Sequence, residues 1–295
     1  MSRRALVLTV VLLVVASIGF EATQVAAQFG IPRIPGIPGL SRSEPTENPM
    51  EMFMAFSDMD EPQEVEVGRS VAAAVGGRYK LLRDVALTKY VALVGNTVAA
   101  ASDRPDLRYY FAVLDTPQPE ALAAPGGFVF ISKGALDVMK DEAALAAVLG
   151  HEVGHIALKH HNATIKAQRT KALAMFGANI GLSFVPGPAG YFTPVMSLVA
   201  DGIAEGVLKG HSRGEEMESD RVGFQYAARA GYDPAGLREF LAELQSKKTD
   251  AGVAQFFSTH PGIDDRLQEQ TKMQQARTGS GGKREAERFA KAMGK

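Results

Sequence analysis

The stretch His151-Glu152-Val153-Gly154-His155 constrains the fold of this chain more than any other part of its sequence. Two histidines four residues apart share one face of a helix, one turn apart, and can aim their rings at a common point. The neighbouring residues agree with a helix. Asp141 and Glu142 suit a helix N-terminus, and an Ala- and Leu-rich run of buried character leads from them into the motif. The sequence therefore predicts a long helix from about Asp141 to His161. With six histidines in the chain, the five-residue pattern would arise by chance in roughly one such sequence in a hundred.

On that helix His151 and His155 present two imidazole nitrogens to one Zn2+ ion. Glu152, beside the metal without binding it, accepts a proton from metal-bound water. Zinc in a catalytic site takes a third protein ligand and keeps its fourth position for water. His161 follows His155 at the spacing one broad class of zinc proteases uses, but that class breaks the helix with a glycine where this chain has Leu158. In a continuous helix His161 sits about 9 Å further along the axis, so His160 and His161 are read as polar residues closing the helix. Glu216 is the better third ligand. It opens a second predicted helix, and Asp220, four residues on, is placed to accept the other ring N–H of a ligand histidine.

The remaining residues fill in a domain around this pair of helices. Helices are predicted over Glu64 to Gly76, Asp84 to Ala101, Ala163 to Val185, Tyr191 to Leu208, Glu215 to Ala230, Pro234 to Gln245 and Ile263 to Gln275. Two strands are predicted, Tyr109 to Leu114 and Phe128 to Ile131, the second opened by the turn Pro125-Gly126-Gly127. The fold class is α+β, mostly α-helical, with a small β-sheet beside the active-site helix. Arg3 and Arg4 ahead of the apolar run Ala5 to Phe20, with Val25-Ala26-Ala27 after it, are read as a signal peptide over 1–27. Five prolines between Pro32 and Pro49 make 28–50 a linker. The catalytic domain is expected over 51–276 and a charged flexible tail over 277–295. The chain has no cysteine, which excludes disulfides, thiolate ligands and a cysteine nucleophile. Its formal net charge of −1 offers no basic surplus for a nucleic-acid partner.

Beyond the histidine motif, Ser212-Arg213 leads into Glu216-Met217-Glu218-Ser219-Asp220. Thr259-His260-Pro261 with Arg266 follows, and Pro125-Gly126-Gly127-Phe128 lies upstream. Together these motifs, over roughly Glu64 to Gln275, resemble the HtpX and CaaX-prenyl-protease family of gluzincin metallopeptidases, in particular its soluble, exported members. The resemblance implies a zincin-like fold with one zinc held by His151, His155 and Glu216, Glu152 as the base, and Asp220 behind the ligands. It implies that His260 approaches the site from a loop, contacting substrate or covering the metal; a histidine capping the following helix is the plain alternative. Gly127, Phe128, Val129 and Arg266 are expected to meet the substrate, the strand from Phe128 pairing with its extended backbone. Two positions depart from the family's pattern: Glu120 stands where it usually has asparagine, and Ser219 where it has alanine.

The function expected is zinc-dependent endopeptidase action on unfolded or misassembled exported proteins, in a periplasm. Residues 172–208 are available for peripheral membrane contact. The rival readings are a chaperone-like module that holds clients, and zinc-dependent hydrolysis of a non-peptide bond.

Overall fold

Hydrophobic spacing and side-chain caps account for most of the helices. The computed structural model describes residues 60–168, 202–278 and 281–295. The signal-peptide and linker assignments, and most of the predicted helical pair between Ala163 and Leu208, lie outside the described residues. Helix α1 spans Glu61–Arg78 and α2 Val85–Ala99. Asp84 caps α2 by accepting from the Leu87 amide, which satisfies a donor the helix itself leaves unpaired. Strands β1 (Tyr110–Leu114), β2 (Ala121–Ala124) and β3 (Phe128–Ser132) follow, then the short helix α3 (Lys133–Val138) and the motif helix α4 (Glu142–Ala157). After the undescribed segment come α5 (Arg213–Arg229), α6 (Ala235–Ser246), α7 (Ala251–Thr259), α8 (Ile263–Ala276) and α9 (Ala286–Ala292). The protein is mostly α-helical with one small mixed sheet against its helices. No helix among the described residues is long and apolar enough to cross a membrane.

The sheet order is β1-β3-β2, with β1 parallel and β2 antiparallel to β3. Alternate side chains point to opposite faces. Ala121, Ala123, Val129 and Ile131 enter the main core with α2 and α4, while Leu122, Ala124 and Phe130 face α1 and the helical residues 202–209. Sequence reading missed β2, because Ala-Leu-Ala-Ala carries little strand preference. This strand changes the substrate expectation. β3 is bonded on both sides, so the strand from Phe128 has no free edge for a peptide; β1 and β2 are the edge strands, and β2 is buried along its length.

Helix α4 is buried all round, from Glu142 to Ile156. Small residues let α5 approach its backbone. A Cβ on Gly223 would lie 2.7 Å from the His151 nitrogen, and one on Gly154 would lie 3.1 Å from the Ser219 carbonyl oxygen. This close crossing sets His151 and His155 opposite Glu216 and Asp220.

The predicted extension of α4 to His161 is not observed. The helix stops at Ala157, and Lys159 takes the left-handed conformation at φ 55°. The Lys159 amide bonds to the Ile156 carbonyl and the His160 amide to the His155 carbonyl. This is the Schellman stop that glycine usually provides. A lysine in the position gives no warning in the sequence.

Two further segments differ from expectation. The segment leading to His260, expected as a loop, is helix α7, anchored by Val253 and Phe256 in the main core. Within the expected flexible tail, residues 281–295 pack onto the start of α4. The amides of Glu142 and Ala143 donate to the Arg284 carbonyl, the Arg284 side chain meets Asp141, Asp233 and Glu239, and Arg288 grips Glu142. Phe289 is buried beneath them.

Candidate active site

The close crossing of α4 and α5 brings four donor side chains together. His151, His155, Glu216 and His260 form a buried group whose ligand atoms lie within 4.8 Å of one another. The two histidine Nε2 atoms are 3.1 Å apart. His151 Nε2 lies 3.5 Å from Glu216 Oε2, and His155 Nε2 lies 3.3 Å from Glu216 Oε1. Ligand atoms around a tetrahedral ion with bonds of 2.0–2.1 Å stand about 3.4 Å apart, so these three donors match the edges of such a site. Two imidazoles and a carboxylate are also the donor chemistry zinc accepts. The residues fit a single ion of that kind.

Behind the donors lies a buried charge network. His151 Nδ1 is 2.8 Å from Asp220 Oδ1, which holds the ring with Nε2 facing the cluster. Arg266 donates to both oxygens of Asp220, at 2.8 and 2.7 Å, and its Nη1 is 2.6 Å from Glu216 Oε2. The resemblance placed Arg266 with the substrate. Arg266 is 1% exposed, with its guanidinium against Glu216 and Asp220. Gly127, Phe128 and Val129 do not line the cluster. Gly127, at φ 95°, is packed against the Arg108 carbonyl, Phe128 stacks on Tyr110, and Val129 is in the core.

Burial and these partners set the protonation of the site. Burial pushes the Glu216 carboxyl up, but His260, Arg266 and His151 outweigh it and hold the group well below the usual carboxylate range. Burial opposes charge on His151, yet Glu216 and Asp220 raise it to about 9. His155 is pushed well below the ordinary imidazole value by burial and by His211, and is therefore neutral and ligand-competent. Glu152 is pushed up by burial, which makes it a stronger base than an exposed carboxylate.

His260 ends α7 and does not cap α8, whose first turn starts at Gly262. Its Nε2 donates to the Ala121 carbonyl at 3.0 Å and its Nδ1 donates to Glu216 Oε2 at 3.2 Å; burial opposes charge on the ring, but Glu216 and Glu152 raise it above the ordinary imidazole value. The Phe256 ring stacks on it at 4.6 Å.

His160 and His211 went unrecognised as parts of the site. All six histidines of the chain gather in one cluster, with the His211 ring lying on His155 at 3.7 Å and His161 next to His211 at 5.2 Å. The grouping of every histidine within 110 residues of sequence was the available signal, but it has no fixed spacing to read.

Glu120, in the position that departs from the family's pattern, is buried and accepts from Thr259 Oγ1 at 3.2 Å. Burial pushes it up to about 7 from 4.5. A carboxyl raised in the folded state contributes stability that is complete below about 4.5 and is lost as pH rises through about 7. Glu120→Gln, neutral at every pH, is therefore expected to match wild type near pH 4 in the chelated protein. At pH 8 it should exceed wild type by roughly 2–3 kcal/mol. Denaturant melts at the two values check this, and a gap independent of pH contradicts it.

The sequence matches Peptidase family M48 over residues 86–274. The chain belongs to that family, and its buried His/His/Glu/His cluster is of the kind zinc endopeptidases use. It is 28% identical over 209 residues to the beta-barrel assembly-enhancing protease of Yersinia pestis, covering 70% of this chain and 42% of that one. It is 31% identical over 181 residues to the mitochondrial metalloendopeptidase OMA1 of Schizosaccharomyces pombe, covering 61% and 51%. It is 33% identical over 162 residues to metalloprotease YcaL of Escherichia coli, covering 54% and 59%. The matches thus span about half the length of these relatives.

Proposed function

We propose that this chain is a zinc-dependent endopeptidase that cuts unfolded or misassembled polypeptides outside the cytoplasm. The observation that carries the reading is the triangle of His151, His155 and Glu216 donors at tetrahedral spacing with Glu152 buried beside it. Zinc, when bound there, polarises the scissile carbonyl and brings the pKa of its water towards about 7. Glu152 takes the water proton and passes it to the leaving amine. Asp220 holds the His151 ring, and Arg266 holds Asp220 and Glu216 in place.

The substrate's place follows from β2. The Ser132 amide bonds to the Glu120 carbonyl, so by alternation Leu122 and Ala124 also bond to β3, while Ala121 and Ala123 turn their amides and carbonyls to the outer edge. An extended peptide paired there is bound through its backbone with little sequence preference, which suits unfolded clients. The exported location rests on the leader-like residues 1–27. The quality-control role draws on relatives named beta-barrel assembly-enhancing proteases.

The reading requires that purified protein cleave unfolded casein, lose activity with a chelator and regain it with zinc. Casein that is bound but left intact by the zinc-loaded protein supports the chaperone-like alternative.

His260 occupies two places a substrate needs: its Nδ1 belongs to the donor group, and its Nε2 takes the Ala121 carbonyl. It therefore acts as a plug. His260→Ala is expected to raise casein cleavage about 3–10-fold by enlarging the competent fraction. A fall in cleavage at unchanged zinc content assigns it to oxyanion stabilisation, and no change in either quantity removes it from the mechanism.

A further inference from the structure

We infer that His160 is the positioning residue for His155, fixing its tautomer and aim, and that Glu218 in turn fixes His160. The inference rests on the reading of His151, His155 and Glu216 as zinc ligands. His155 faces that cluster through Nε2, 3.1 Å from His151 and 3.3 Å from Glu216. A histidine that ligates through Nε2 keeps its proton on Nδ1 and needs an acceptor for it. His155 is 0% exposed, so bulk water does not serve. Its Nδ1 lies 2.9 Å from His160 Nδ1.

The protons then account for every nitrogen. His160 accepts on Nδ1, where the Ser219 hydroxyl also approaches at 3.3 Å, and so carries its own proton on Nε2. That Nε2 is 3.3 Å from Glu218 Oε2. The two ligand histidines are thus served from the same helix, α5: His151 directly by the Asp220 carboxylate, His155 by the Glu218 carboxylate through an intervening imidazole. The left-handed turn at Lys159 makes this possible, because it folds His160 back against the ring five residues before it.

His155, His160 and His211 are also close enough to suggest a second ion. Two observations count against one. His155 would have to surrender its Nδ1 proton while Nε2 is already engaged. The His211 ring also lies nearly parallel to that of His155, with 18° between their planes, so their in-plane lone pairs run side by side instead of converging.

The test is zinc competition against a chromophoric chelator, with the full chain as wild type, His160→Ala and His160→Asn, each also melted in its metal-free form. His160→Ala is expected to weaken zinc about 10–100-fold. Asparagine places an acceptor oxygen where Nδ1 stood, and His160→Asn is expected to recover affinity to within about threefold of wild type. The two variants should melt together without metal. Wild-type affinity in His160→Ala overturns the inference, as does equal weakening in both variants, or a loss of metal-free stability that tracks the loss of affinity. Two zinc ions in wild type and one in His160→Ala replace it with a second metal site. A wild-type protein that takes up no zinc defeats the underlying reading itself.

Discussion

Glu152→Gln is expected to keep its zinc and lose roughly 10²–10⁴-fold in casein cleavage. The residue is 1% exposed and is not among the four grouped donors, so replacing one oxygen by an amide nitrogen leaves the donor triangle unchanged. What changes is basicity. Burial raises the wild-type carboxyl, and a neutral amide accepts no proton from the attacking water. An ionisable neighbour, His260 with Nε2 3.9 Å from Glu152 Oε1, donates its own Nε2 proton to the Ala121 carbonyl and does not substitute as base. The check is turnover at matched zinc occupancy. Near wild-type turnover removes Glu152 from the base role, whereas loss of both zinc and turnover makes it a structural member of the site.

Glu216→Ala should have the largest combined effect, on metal and fold together. It deletes the only carboxylate of the donor group and leaves Arg266 buried with Asp220 as its remaining partner. Removing one member of a buried ion pair costs about 3–5 kcal/mol. Glu216→Gln retains shape and an acceptor for Arg266, so its zinc loss reads ligation with less damage to the fold. His161→Ala should leave zinc content unchanged. The helix between His155 and His161 is in fact broken, so the distance argument drawn from a continuous helix does not stand. His161 is nonetheless outside the donor group, beside His211. A protein that keeps zinc in Glu216→Gln and loses it in His161→Ala reverses the assignment of the third ligand.

The parts of this site that a reader of the sequence finds are those tied to helical spacing. His151 and His155 at i and i+4 on one helix, and Glu216 and Asp220 at i and i+4 on another, fall on shared faces whatever the rest of the chain does. The helix starts near Asp84 and Asp141 were legible for the same reason, being local, and both aspartates cap their helices. What stayed hidden depends on contacts across the fold. The contact of Arg266 with Glu216 and Asp220 is visible only once α8 is seen against α5. β2 has an alanine-rich sequence that only its pairing with β3 makes a strand. The stop after Ala157 relies on Lys159 in a conformation its side chain does not favour. Without that stop His160 would not return to His155. Residues 281–295 look solvated by composition, yet their arginines meet carboxylates from distant sequence at the start of α4.

The most direct measurement is elemental analysis of the purified wild-type chain combined with zinc-edge X-ray absorption. The account predicts one zinc per chain in a shell of nitrogen and oxygen ligands at about 2.0–2.1 Å, removed by chelation together with casein cleavage. A chain that cleaves casein with no bound metal, or that binds its zinc undiminished after His151 and His155 are both changed to alanine, would contradict it.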